Sequence, residues 1–480
     1  MEGILDVAPR APTEEAASAV ATADAVRAGR TSAVEIAEAA IARITANNPA
    51  LNAIVTFDPE AMLVEARDVD RRVAAGERLP LAGVPVAIKD NIWVEGRRVT
   101  QGSRLFADFL APSDAIAVSR LRQSGAVIAG LANTSEFACK GLTTNLLFGP
   151  THHPLDPSLT PGGSSGGPAA AVAAGLVPLA LGTDAGGSSR RPPAHVGIVG
   201  FKPSFGAIPY GPGFAEPSVG ISVIAPMART VADVALMFDA LAGPDRRDPG
   251  SRFIPRLKQR PLDTLRIAYS PRFGLDVPID DDVMNTVETA VGMLSAAGAG
   301  IEKCDPIWPP GAADSALISI QHAGLAALYG EAWRREPALF DPDIGRQIER
   351  GLALPGTDVT RALLLSSEIE RAVAAFYTEF DLLIGPTTPC VAWPLGELGP
   401  ARIGGVSVDA RAHAVFTPLF NHARVPAISV PCGRASRGLP AGLQIVGAYG
   451  TDPLVLTFAA FVEDAVSDPR RTDEEAKHAP

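Results

Sequence analysis

The chain has 480 residues, 47% of them hydrophobic and 20% charged, which is enough apolar material to bury a sizeable core and too much for disorder. Its 42 Lys and Arg against 53 Asp and Glu leave a formal net charge of -11, which argues against nucleic-acid binding, because phosphate recognition leans on clustered basic side chains. Cys139, Cys304, Cys390 and Cys432 are scattered without a C-x-x-C pair, and no apolar run has the length of a secretory signal or a bilayer span. The expectation is a cytoplasmic protein with reduced cysteines packed as small apolar side chains, touching neither membrane nor nucleic acid.

Residues 12 to 50 read as helical. Pro12-Thr13 opens an alanine-rich segment that closes at Gly29, and Ser32 to Glu35 has capping-box spacing ahead of Ile36, Ala40, Ile41 and Ile44. A short strand is expected over Asn52–Phe57 and a helix over residues 60–76. Leu81 to Asn91 contains an apolar strand that ends on Lys89. Ligands gather at the carboxyl ends of strands in α/β sheets, so Lys89 holds a functional address, although taken alone it reads as a solvated charge. A helix around Ala115–Gln123, a buried strand over Gly125–Gly130 and a loop or helix start at Thr134–Phe137 follow.

The stretch from Thr160 to Arg191 is the most informative. It reads Thr-Pro-Gly-Gly-Ser-Ser-Gly-Gly, then a helix over Ala169–Leu176 with Pro168 in its first turn, then a strand over Val177–Leu181 running into Gly-Thr-Asp-Ala-Gly-Gly-Ser-Ser-Arg-Arg. Gly186-Gly187 before Ser188 is what a hydroxyl nucleophile surrounded by backbone N–H donors requires. Beyond it, Val196–Phe201 reads as a strand and Pro203–Pro217 as a long loop lining a cleft. Strands over Leu265–Tyr269 and Ile301–Lys303 bracket a helix from Asp281 to Ala297. Residues 314–380 read as helical and are expected to cap the site. Asp381–Ile384, Ala427–Val430 and Gly442–Val446 read as strands and Leu454–Val466 as a closing helix, followed by a solvated acidic tail. This alternation argues for a sheet with helices on both faces, in one domain spanning residues 1–480 with a catalytic core over 60–205.

Three chemical readings compete for the Gly/Ser clusters. A phosphate loop needs Lys-Ser/Thr after its last glycine, whereas Gly167 is followed by Pro168 and Ala169. Gly162-Gly163-Ser164-Ser165-Gly166 matches the G-x-S-x-G elbow of α/β-hydrolase esterases, with His195, His322, His413 or His422 as base, but no strand precedes it. The third reading is a resemblance. Gly83-Val-Pro-Val-Ala-Ile-Lys-Asp-Asn91, Thr160-Pro-Gly-Gly-Ser-Ser-Gly-Gly167 and Gly182-Thr-Asp-Ala-Gly-Gly-Ser188 with Arg190, at these separations, resemble the amidase signature family. Gly197 to Pro203, Pro386-Thr-Thr-Pro389 and Pro426 to Gly433 extend the likeness along nearly the whole chain.

That resemblance implies an α/β/α sandwich around a large mixed, twisted sheet, and a Ser-cisSer-Lys serine hydrolase of C–N bonds. Ser188 is then the nucleophile, Ser164 the bridging serine after a cis bond from Gly163, and Lys89 the base. The backbone N–H groups of Ala185, Gly186, Gly187 and Ser188 form the oxyanion hole; Asp184 and Arg190 hold the loop and Ser165 supports it. No metal or cofactor is implied. The partner is a small amide or carbamate (urethane), with aryl or alkyl groups and esters also compatible, and the chain is a monomer or homodimer.

Ser189, Arg191, Pro193, His195 and Pro168 depart from the residues usual in the family, which puts the pocket walls and any borrowed substrate in doubt. Leu131 to Glu136 lacks the lysine typical of the tRNA-dependent amidotransferase subunit, which favours a stand-alone amidase over a subunit of glutamyl-tRNA type.

Overall fold

The computed structural model describes residues 18–255, 260–313 and 317–467. The strands are β1 Ile54–Thr56, β2 Pro85–Lys89, β3 Val127–Ala132, β4 Leu179–Asp184, β5 Val199–Lys202, β6 Val223–Ala228, β7 Ile267–Tyr269, β8 Ile301–Lys303 and β9 Leu382–Pro386. After these come a two-strand hairpin of β10 Arg402–Ile403 and β11 Val406–Ser407, then β12 Ala427–Arg434 and β13 Pro440–Gly447. All but the hairpin join one eleven-stranded sheet in the order β1-β3-β2-β4-β6-β5-β12-β13-β9-β7-β8. β3, β2 and β4 run parallel, as do β9, β7 and β8, while the pairings between these two groups are antiparallel. The expected mixed sheet is therefore present.

Alternation along the strands divides the core. On one face Val86, Ile88, Leu179, Leu181, Ile428 and Ile445 pack with the helices Ile116–Gln123, Val231–Leu241, Asp281–Ala296 and Asp452–Ser467. On the other, Ala87, Val127 and Ala180 meet the helices Ala33–Leu51, Pro59–Ala74 and Gly166–Ala173. Further along that second face Leu383 and Val446 meet Ile369 and Val373 of the helix Gly356–Phe376. Each fully buried Val, Leu or Ile adds roughly 1.5–3 kcal/mol relative to exposure, so period-two patterning is what sets the register.

The capping box is formed: Ser32 Oγ accepts from the Glu35 N–H at 3.1 Å, and the Ser32 N–H donates to Glu35 Oε2 at 2.8 Å. Three elements differ from expectation. The helix over Ala169–Leu176 begins at Gly166, because two glycines and Pro168 occupy a first turn whose N–H groups need no helical acceptor. Arg191–Val196 is a helix for the same reason, with Pro192 and Pro193 in its first turn, and the strand expected from Val196 starts at Val199. β6 went unread because Pro226 interrupts its apolar run. The opening at Pro12–Thr13 and the tail beyond residue 467 lie outside the described residues. Residues 318–376 form the helices Ile318–Arg335, Pro342–Ala353 and Gly356–Phe376.

Candidate active site

Parallel pairing of β2 with β4, with Ile88 opposite Leu181, brings the carboxyl ends of the two strands side by side. Lys89 closes β2 and Thr183-Asp184 closes β4. The Gly/Ser loop that starts the helix Gly166–Ala173 crosses the same end. Lys89 is fully buried, so its reading as a solvated strand-end charge is overturned. The Gly/Ser loop carrying Ser164 and the end of β4 at Thr183 lie over the amine and close it off from water.

Lys89 Nζ lies 2.8 Å from Ser164 Oγ and 2.9 Å from Thr183 Oγ1. Ser164 Oγ is in turn 3.0 Å from Ser188 Oγ, which also accepts the Ser164 N–H at 3.1 Å. The peptide bond Gly163–Ser164 is cis. Burial lowers the Lys89 pKa to about 7, against the attraction of Glu216 and Asp184, which favours the ammonium. The neutral amine is thus accessible near pH 7, within hydrogen-bond reach of two hydroxyls. No carboxylate among the described residues forms an ion pair with it.

Thr183 is a partner that the sequence reading left out. It also accepts from Asn91 Nδ2 at 3.1 Å, so it fixes both the amine and the turn after β2. Its only signal was its place between Gly182 and Asp184. Thr143 was missed too. Its hydroxyl lies 2.9 Å from the carbonyl of Gly162 and 3.1 Å from that of Ser164, and it receives the Gly166 N–H at 2.9 Å. Ser165 Oγ donates to the Thr183 carbonyl at 3.2 Å, tying the loop to β4. A side chain at Gly163 would meet the backbone of Leu142 at 2.6 Å, so the loop packs main chain against main chain there.

The loop after β4 is held by a buried ion pair. Arg190 Nε and Nη2 donate to Asp184 Oδ2 and Oδ1 at 3.1 and 3.0 Å, and both residues are fully buried. Asp184 also receives the N–H of Ser189, the hydroxyl of Ser189 and the amide of Asn421. Burial alone would raise its pKa, but the Arg190 charge and these donors more than reverse that and hold the carboxyl far below the usual range. The remaining guanidinium hydrogens reach the Thr417 carbonyl, Gln444 Oε1 and Asn421 Oδ1. The pair is a saturated internal network.

One expectation for the oxyanion hole fails. The Gly187 N–H donates to Asp184 Oδ1 at 2.7 Å and is not free for a substrate. A carboxylate anchored three residues upstream by an arginine captures that donor. No bond to a described residue engages the N–H groups of Ala185, Gly186 and Ser188. Gly187 still matters by its shape: φ is +114° and a Cβ there would lie 2.1 Å from Thr417 Oγ1.

No hydrogen bond joins His195, His322, His413 or His422 to Ser164, Ser165 or Ser188, and burial pushes the His322 pKa down to about 4. His195 is buried against Trp393, its ring nitrogens have no partner among the described residues, and burial pushes its pKa down to about 3. His413 Nδ1 faces Arg191 at 3.4 Å, and His422 Nδ1 faces Ser366 Oγ at 3.0 Å. Cys139, Cys390 and Cys432 are buried and Cys304 is partly so, all as free thiols. The cleft above Ser188 is walled by Phe137, Cys139, Ala185, Glu216, Pro217 and Gln321. Beyond it lies a cavity of about 360 Å³ between the loop of residues 205–223 and the helix Ile318–Arg335.

Comparison with known proteins agrees with this geometry. A family model described as Amidase matches residues 35–456. An acylamidase from Rhodococcus erythropolis is 38% identical over 456 residues, covering 93% of this chain and 94% of that protein. A glutamyl-tRNA(Gln) amidotransferase subunit from Symbiobacterium thermophilum is 38% identical over 465 residues, covering 90% of this chain and 93% of that protein. Among solved structures, a bacterial aryl acylamidase belonging to the amidase signature enzymes matches with a TM-score of 0.86 at 29% identity, covering 95% of this chain and 98% of that one. A 6-aminohexanoate cyclic dimer hydrolase matches with a TM-score of 0.80 at 29% identity and the same coverage.

Proposed function

Since the chain belongs to the amidase signature family of amide-hydrolysing enzymes, we propose that it is a stand-alone serine amidase working through an acyl-enzyme. Ser188 attacks the carbonyl while its proton passes to Ser164 Oγ, as the Ser164 proton passes to neutral Lys89. A serine hydroxyl is a weak nucleophile until a base takes its proton. The base here need be neutral only, and burial supplies that. The N–H groups of Ala185, Gly186 and Ser188 receive the developing oxyanion, each worth roughly 100- to 1000-fold in rate. The Lys89 ammonium then returns its proton through Ser164 to the leaving nitrogen. Water repeats the sequence on the acyl-enzyme.

The observation that carries this reading is the unbroken chain from Lys89 Nζ through Ser164 Oγ to Ser188 Oγ, with contacts of 2.8 and 3.0 Å. Carbamates (urethanes) and esters present the same carbonyl and differ in leaving group, so they fall within the proposed range. The apolar cavity suits aryl or alkyl substituents. Of the helices over residues 318–376, Ile318–Arg335 acts as the cap, through Gln321 over the serine and Leu328 over the cavity.

The test is hydrolysis of aliphatic amides, aryl amides and aryl carbamates by the purified chain, with mass spectrometry for an acyl adduct on Ser188. Turnover that disappears in Ser188→Ala is the expected result. The similarity to amidotransferase subunits supports a second reading, in which the chain works in a complex. Copurifying partner subunits, together with no hydrolysis of simple amides by the isolated chain, would select it.

A further inference from the structure

Glu216 is the one carboxylate that borders both the cleft above Ser188 and the larger cavity beyond it. It lies where the two linings meet, beside Ser218 and Ser222, which border both spaces as well. Its Oε1 accepts from the Tyr210 hydroxyl and its Oε2 from the Ser222 hydroxyl at 2.8 Å, so both oxygens are oriented by neutral donors. Among the described residues it forms no ion pair. The other acid on the cavity wall, Asp248, is occupied by backbone: its two oxygens accept the N–H groups of Tyr210 and Gly250, each at 2.8 Å. Among the described residues no lysine, arginine or histidine borders either space, while Phe205, Ile208, Val219, Val223 and Leu328 make the cavity wall mainly apolar. Arg424 is exposed and stacks over the Phe205 ring at 5.3 Å, outside the lining, and the Lys89 amine, whose ammonium form the Glu216 charge favours, lies behind Ser164 and Thr183.

We propose that Glu216 is a specificity-determining residue that selects amides carrying an ammonium group close to the scissile carbonyl, with an apolar group beyond it in the cavity. The inference rests on the amidase reading above and narrows its substrate class. A half-buried carboxylate fixed by two hydroxyls still has lone pairs to offer, and a charge-assisted N–H···O bond is stronger than a neutral one. A substrate carboxylate at the same place would meet a like charge, so the residue selects by repulsion as well. The position follows from the shared wall: Glu216 borders the space above Ser188 and the cavity alike.

The discriminating experiment uses three isosteric probes: β-homophenylalaninamide, its analogue with methyl in place of the ammonium, and its analogue with a carboxylate there. The native chain is expected to prefer the ammonium probe over the methyl probe by about tenfold in kcat/KM, with the carboxylate probe poorest. Glu216→Gln should bring the ammonium-to-methyl ratio to about one, whatever it does to the absolute rates. Ser222→Ala, which frees one oxygen of its anchor, should reduce the ratio by a smaller factor.

Equal use of the three probes by the native chain would overturn the inference while leaving the amidase reading intact. A preference that survives in Glu216→Gln would overturn it too. Calorimetric titration of Ser188→Ala with the ammonium and methyl probes reads the same preference without turnover. A tenfold binding preference there, together with no hydrolysis of any amide by the native chain, would uphold the role of Glu216 and refute the amidase reading. The absence of a binding preference would refute the role of Glu216.

Discussion

Two cations are buried at the same end of the sheet, and their surroundings are opposite. Arg190 meets Asp184 through two hydrogen bonds, and its other hydrogens go to Thr417, Asn421 and Gln444. Lys89 meets two hydroxyls and no carboxylate. The difference teaches what each is for. A paired charge keeps its charge and holds a loop in place. An unpaired one in the same low-dielectric interior gives up its proton near neutrality, and a group that can exist in either protonation state there can move protons.

The sharpest test of that contrast is Lys89→Met against Arg190→Met. Loss of the amine should cut kcat/KM by a factor on the order of 1000 or more, because nothing else takes the Ser164 proton. Yet the fold should be unharmed or stabilised, since an amine whose charged form is costly to bury is replaced by an apolar chain of similar size. Arg190→Met should instead destabilise by about 3–5 kcal/mol, leaving Asp184 charged and unpaired. Thermal melts of both variants beside activity assays separate the two outcomes. Equal destabilisation would erase the distinction.

A smaller effect is expected from pH. With the Lys89 pKa lowered to about 7, kcat/KM should fall about tenfold per unit below that value. The stability consequence has a definite sign. Between about 7 and the ordinary 10.5, the unfolded chain binds more protons at this lysine than the folded chain does, so its cost to the fold is greatest below about 7 and fades as pH rises. The stability advantage of Lys89→Met should shrink over the same window in denaturant titrations. The smallest change is Thr183→Val, which removes one of the two contacts to the amine. A loss of about three- to tenfold is expected, with the fold retained.

The sequence made one half of this contrast far more readable than the other. Lys89, Ser164 and Ser188 lie in short motifs that resemble a known family, and most of the eleven strands lie in short apolar runs, several of them buried along their whole length. Burial of Lys89 was less accessible, because a lysine at a strand end looks the same whether its neighbours cover it or not. Thr183 and Thr143 are unremarkable as letters and gain their roles from contacts made across the fold. The capture of the Gly187 N–H by Asp184 depends on the carboxylate being held by Arg190, a three-dimensional matter. β6 and the helix Arg191–Val196 were hidden by prolines in places where a missing N–H costs little.

The anchors of Arg190 have a consequence for how the protein comes into being. Thr417, Asn421 and Gln444 stand 227, 231 and 254 positions downstream of it. A nascent chain emerging from the ribosome therefore carries its entire reactive trio long before the groups that brace the nucleophile's loop have been translated. Such a half-made polypeptide would be chemically silent, as would any fragment cut short of residue 417. Supplying the missing C-terminal piece in trans is then the step at which a split version of the protein would wake.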